Sequence, residues 1–129
     1  MVRSELTSQL IADGEVLIRD LDTHRLRVEA AFWFLAPDLD AWKLLIASPL
    51  TTSKGPKRAY QQIQKSLNRL KGRIQELRLD DVAILRPDEP LLTLLRVALR
   101  TGPGISGIRF TGNVINGQLI PDAHIYRIT

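Results

Sequence analysis

Cysteine is absent from the 129 residues. Disulfides, thiolate nucleophiles and thiolate metal sites are excluded with it, and nothing points to an oxidising compartment. Long apolar runs are missing too. No stretch approaches the ~18–20 apolar residues that a membrane-spanning helix needs. The N-terminal MVRSELTSQLIADGE is polar and mixed in charge, without the apolar centre of a secretory leader. These absences predict a soluble, cytoplasmic protein with no membrane partner. Histidine is scarce, and His24 and His124 show neither HExxH nor His-x-x-x-His spacing. Asp20, Asp22 and His24 do cluster, but a histidine at a helix C-terminus is read more simply as a partner of the helix dipole. No metal and no cofactor are expected. The G-x-x-x-x-G-K-[ST] phosphate loop and the G-x-S-x-G nucleophile elbow are also lacking.

What remains has the make-up of an ordinary globular domain: 44% apolar and 25% charged residues, in a length that suits one folding unit over residues 1–129. Leu6, Leu10, Leu17 and Leu21 share one helical face over residues 4–22, with Ser4 as cap. Asp13-Gly14 interrupts that pattern. Residues 26–35 and 42–47 read as strands. Phe32, Trp33 and Phe34 are consecutive, so both sheet faces are covered there. Pro56 opens an amphipathic helix to about Leu70. Val82–Leu85 is a short apolar run suited to a central strand. Asp88 caps a helix through about Arg100 that is mostly buried or meets another subunit. Ile108–Ile115 and Gln118–Ile128 flank Asn116-Gly117, a type I′ hairpin signal. The expected fold is α/β in the order αββαβαββ, a mixed sheet with helices on both faces and a C-terminal β-hairpin.

Charge is distributed unevenly. Residues 54–78 carry eight basic side chains against Glu76, a net of +7, while the whole chain is only +4. The rest therefore sums to −3. Ser53, Lys54, Lys57 and Arg58 gather where a strand runs into a helix N-terminus, a common anion site in α/β folds. Lys65 and Arg69 extend the cationic helix face, and Lys71 and Arg73 continue beyond it. Phosphate neutralisation would produce this footprint. Aromatics make up only 5% of the chain, and the nearby Tyr60 falls on the core side of its helix, so base stacking is not provided for. Nucleic acid held by its backbone, a phosphorylated ligand and an acidic protein all suit this stretch. So does plain solvation of a charged helix face.

The terminal hairpin offers a second constellation. A two-residue loop at Asn116-Gly117 sets Arg109 opposite His124 and Thr111 opposite Asp122. Alternation then puts Arg109, His124 and Tyr126 on one face. Together they could supply a charge stabiliser, a base and an acid for metal-independent phosphodiester cleavage. Gly112 and Pro121 invite a bulge that would flip the faces. Three readings follow: a non-catalytic binding module acting through its basic helix, an adaptor or homo-oligomer, and a metal-independent nuclease.

Overall fold

The structure, a computed structural model, describes residues 3–129. Its elements are α1 (Ser8–Thr23), β1 (Ala30–Ala36), β2 (Ala41–Ala47), the single turn α2 (Leu50–Ser53), α3 (Pro56–Arg69), β3 (Val82–Leu85), α4 (Pro90–Ala98), β4 (Ile108–Phe110), β5 (Asn113–Ile115), β6 (Gln118–Ile120) and β7 (Ala123–Ile128). The main sheet has the order β3-β2-β1-β7-β4. β2 and β3 are parallel, joined by the α3 crossover, and the other pairs are antiparallel. The α/β class and the mixed sheet are as the sequence predicts.

Helices cover both faces. Leu10, Leu17, Ile18 and Leu21 of α1 and Ile63 of α3 pack on Trp33, Leu44 and Ile46. Leu92 and Leu95 of α4 close the other face over Phe32, Leu45 and Ile125, with Ile115 and Ile120 of the β5–β6 ribbon beside them. The aromatic triplet therefore alternates between two cores, as residues on successive sides of a strand must.

Boundaries move for identifiable reasons. α1 starts at Ser8, not Ser4, because Thr7 is the cap and its hydroxyl accepts from Leu10 N at 3.0 Å. The residues before it are drawn away, with Arg3 donating to Asp81 and to the Glu76 carbonyl. Asp88 does not cap α4. Glu89 occupies that position without a side-chain hydrogen bond, and Asp88 pairs with Arg86. α4 also ends two residues early, since Leu99 is extended and Thr101 N already donates to Ile128 O.

The hairpin register is the expected one, with Arg109 facing His124 and Asn113 facing Ile120. Asn116 and Gly117 both have positive φ, as a type I′ turn requires. The ladder breaks near Gly112 and Pro121, so its tip becomes the separate β5–β6 ribbon. The bulge lies elsewhere, where β7 shifts register against Ala31 and Phe32. It lets Tyr126 and Arg127 both serve the α1 side of the sheet.

Gly14 has a reason too. A Cβ there would stand 2.4 Å from the Tyr126 hydroxyl, which accepts from Trp33 Nε1 and donates to Ile11 O. Only glycine lets α1 sit this close to the sheet. Beside it, buried Asp13 accepts three consecutive backbone N–H groups, from Gln75, Glu76 and Leu77. The loop after α3 is thus wrapped around one carboxylate.

Candidate functional site

The end of α1 and the start of α3 come together beside the carboxyl end of β2. α1 finishes in a Schellman arrangement, with Leu26 N donating to Leu21 O and Arg25 N to Asp22 O. Glycine is the usual residue at the left-handed position of that motif. Here it is Arg25, with φ 62°. A side chain at such a φ costs about 1–2 kcal/mol. His24, Arg25 and Arg27 line a concavity of about 400 Å³ there, and Arg25 and Arg27 also border the adjoining concavity that Asp22 and Glu29 line.

The opposite wall is built by Ser48, Ser53 and Lys54 after β2, and by Arg58 and Gln62 of α3. Leu26 and Leu50 are its apolar part, and no Asp or Glu lines it. Arg27 meets Glu29 only loosely, at 3.7 Å. His24 Nδ1 lies 2.8 Å from Asp20 O, which leaves Nε2 for the cleft. Lys54 and Arg58 form no ion pair among the described residues. The N-terminus of α3 adds a like-signed field. Gly55 gives it no side-chain cap, and its first turn holds no acid.

The cationic residues expected from sequence thus divide. Ser53, Lys54 and Arg58 line the cleft. Lys57 is exposed in the first turn of α3, and Lys65 is exposed on the Arg58 flank two turns on. Lys71 and Arg73 are exposed beyond the helix and do not line the cleft. Arg69 is committed elsewhere, its Nε and Nη2 reaching Asp20 Oδ2 at 3.1 and 2.8 Å. Ser66 donates to the same oxygen. Burial pulls the Asp20 carboxyl upward, and the Ser66 and Arg69 contacts outweigh it, so it sits below the usual carboxylate range. Arg69 is therefore a brace between α1 and α3.

His24, Arg25, Arg27 and Gln62 were not expected in an anion site. The only local sign is the His-Arg-Leu-Arg run that ends the first helix.

The hairpin set divides as well. Arg109 and His124 face each other, with the Arg109 guanidinium 5.0 Å above Trp42 and 3.6 Å from Asp122. Partial burial, then the Arg109 charge, pushes the His124 imidazole below its ordinary pKa. Tyr126 packs edge-on against His124 but is only 1% exposed, and its hydroxyl is spent on Ile11 and Trp33. Burial raises its pKa well above that of a free phenol. The phenol thus clamps α1 to the sheet and does not share a solvent-reachable site with Arg109 and His124.

Metal-ligand types do not converge. Among the described residues no group of three or more such side chains forms. Asp20 is held by Arg69, and Asp22 by a bidentate contact from Arg127 at 3.0 and 2.8 Å. No described helix is long and apolar enough to cross a membrane.

No protein-family model matches the chain, and neither a curated protein nor a solved structure is detectably similar to it.

Proposed function

We propose that the protein is a non-catalytic binding module that holds phosphate groups, of nucleic acid or of a phosphorylated ligand, between the end of α1 and the start of α3. One observation carries this reading. Arg25, Arg27, Lys54 and Arg58 come from separate parts of the chain to line one concavity with no carboxylate in its walls, the nearest being Asp22 and Glu29 of the concavity beyond Arg25 and Arg27. Like charges so gathered repel one another, and Lys54 and Arg58 sit less favourably beside the α3 N-terminus than in free solvent. An anion relieves both penalties. The site also lies outside the carboxyl end of a sheet strand, where α/β folds tend to place ligands.

An electrophoretic shift with short single- and double-stranded DNA and RNA tests it. Binding led by phosphate contacts falls by orders of magnitude between about 50 and about 200 mM salt. The expected result is a shift at the lower salt that collapses at the higher, and that the double variant Lys54→Glu, Arg58→Glu lacks. A shift of undiminished strength in that variant overturns the proposal. No shift at either salt favours an acidic protein as the partner.

A further inference from the structure

The cleft differs in shape from the usual track for a nucleic-acid backbone, and the difference names a ligand. A backbone track presents cations in a row along an open surface. Here four cations surround a concavity of about 400 Å³. The row that could lead out of it is short. On α3, Arg58, Gln62, Lys65 and Arg69 lie on one flank, because steps of three and four residues keep to one side of a helix. Arg58 to Lys65 is seven residues, roughly 10 Å along the axis. At Arg69 the row stops, since Asp20 neutralises that guanidinium.

A site of this kind suits a concentrated charge better than a repeating one. An internal phosphodiester offers a single negative charge. A phosphomonoester carries about −1.5 to −2 at neutral pH and three terminal acceptor oxygens. Arginine forks match those oxygens in pairs, and Ser53 and Lys54 add further donors. Resting on the phosphate-binding reading above, we infer that the cleft is a phosphomonoester site, taking the terminal phosphate of a nucleotide or of a 5′-phosphorylated strand. The part of the ligand next to the phosphate lies against Leu26 and Leu50. No Phe, Tyr or Trp lines the cleft, so the one ring that a base could meet there is the His24 imidazole.

Arg25 sharpens the test. Glycine is the usual residue at its left-handed position, so Arg25→Gly removes a guanidinium while easing the backbone. A folding failure is not the expected outcome, and thermal melting checks it. The probe is an oligothymidine octamer carrying a 3′ fluorophore, with either a 5′-phosphate or a 5′-hydroxyl, read by anisotropy at about 50 mM salt. The 5′-phosphorylated strand should bind at least about tenfold tighter, the effect of one charge-assisted contact. Arg25→Gly should bring it down to the 5′-hydroxyl level with no fall in melting temperature. Thymidine monophosphate as competitor separates the sources. Displacement at concentrations similar to the octamer's own dissociation constant supports the inference with a free nucleotide as ligand. Displacement only at far higher concentrations supports it with a strand end as ligand. Equal, salt-sensitive binding of both octamers, unchanged in Arg25→Gly, overturns the phosphomonoester inference and leaves the phosphate-binding function standing. Binding of neither octamer, with no heat of binding from thymidine monophosphate in calorimetry, overturns both.

Discussion

The two ends of α3 carry the same kind of side chain to opposite effect. At the C-terminal end Arg69 finds Asp20 of α1 at 2.8 Å, and its charge also suits the helix dipole. At the N-terminal end Lys54, Lys57 and Arg58 have no ion-pair partner among the described residues, and the dipole opposes them. One end is structure. The other is charge left over after folding, kept where it costs stability. On the proposed reading, the N-terminal end is the one whose charge is left for an anion.

Cutting the brace should break the contrast most sharply. Asp20→Ala leaves the Arg69 guanidinium unpaired and strands the fully buried Ser66 hydroxyl. The expected loss is about 2 kcal/mol, dominated by the unsatisfied groups. Urea denaturation at neutral pH measures it. Arg69, once released, lengthens the cationic flank, so phosphate-led binding should strengthen severalfold in the same variant. Unchanged stability would mean that Asp20 and Arg69 are only surface neighbours.

Acid should undo the brace gradually. Because the folded pKa of Asp20 is depressed, its contribution is fully present above the unfolded value of about 3.9. It is lost as pH falls through the folded value. Asp20→Asn lacks this contribution at every pH. The stability gap between the native chain and Asp20→Asn, read from urea midpoints, should therefore narrow from about pH 6 to about pH 2.5. A gap that stays constant would assign the brace to the geometry of the hydrogen bonds alone.

Legibility from sequence follows the same line. The α3 wheel needs only 3.6-residue periodicity, so its buried side (Ala59, Ile63, Leu70) and its cationic side were both readable. The hairpin register was readable because Asn116-Gly117 admits one turn type, and that turn sets the pairs beyond the break at Gly112. The fate of each cation was not readable. Asp20 stands 49 residues from Arg69, and nothing local joins them. Arg25 and Arg27 come to line one concavity with Lys54 only because α1 and α3 pack on one face of the sheet. Gly14 looked like a flaw in a helix, and its meaning comes from Tyr126, a residue on the last strand. Composition and period describe elements. A site made where two elements meet needs their packing.

The smallest effect sharpens the contrast furthest, because it isolates the dipole from the cleft. Lys57 lies in the first turn of α3, is exposed, and does not line the concavity. Replacing it with Glu puts the favoured sign at an uncapped N-terminus and should stabilise the protein by about 0.5–1 kcal/mol at low ionic strength. Lys65→Glu is the control. It is equally exposed but lies more than two turns into the helix, where the dipole field has faded, so it should change stability by much less. Screening supplies the second check, since at about 1 M salt the Debye length is only about 3 Å and the gain at Lys57 should largely vanish. A gain that persists in high salt would trace to helix propensity. A gain of equal size at Lys65 would mean that the strain arises from the net charge of the whole helix. Either result would remove the electrostatic distinction between its two ends, and with it the argument that the N-terminal cations are held ready for an anion.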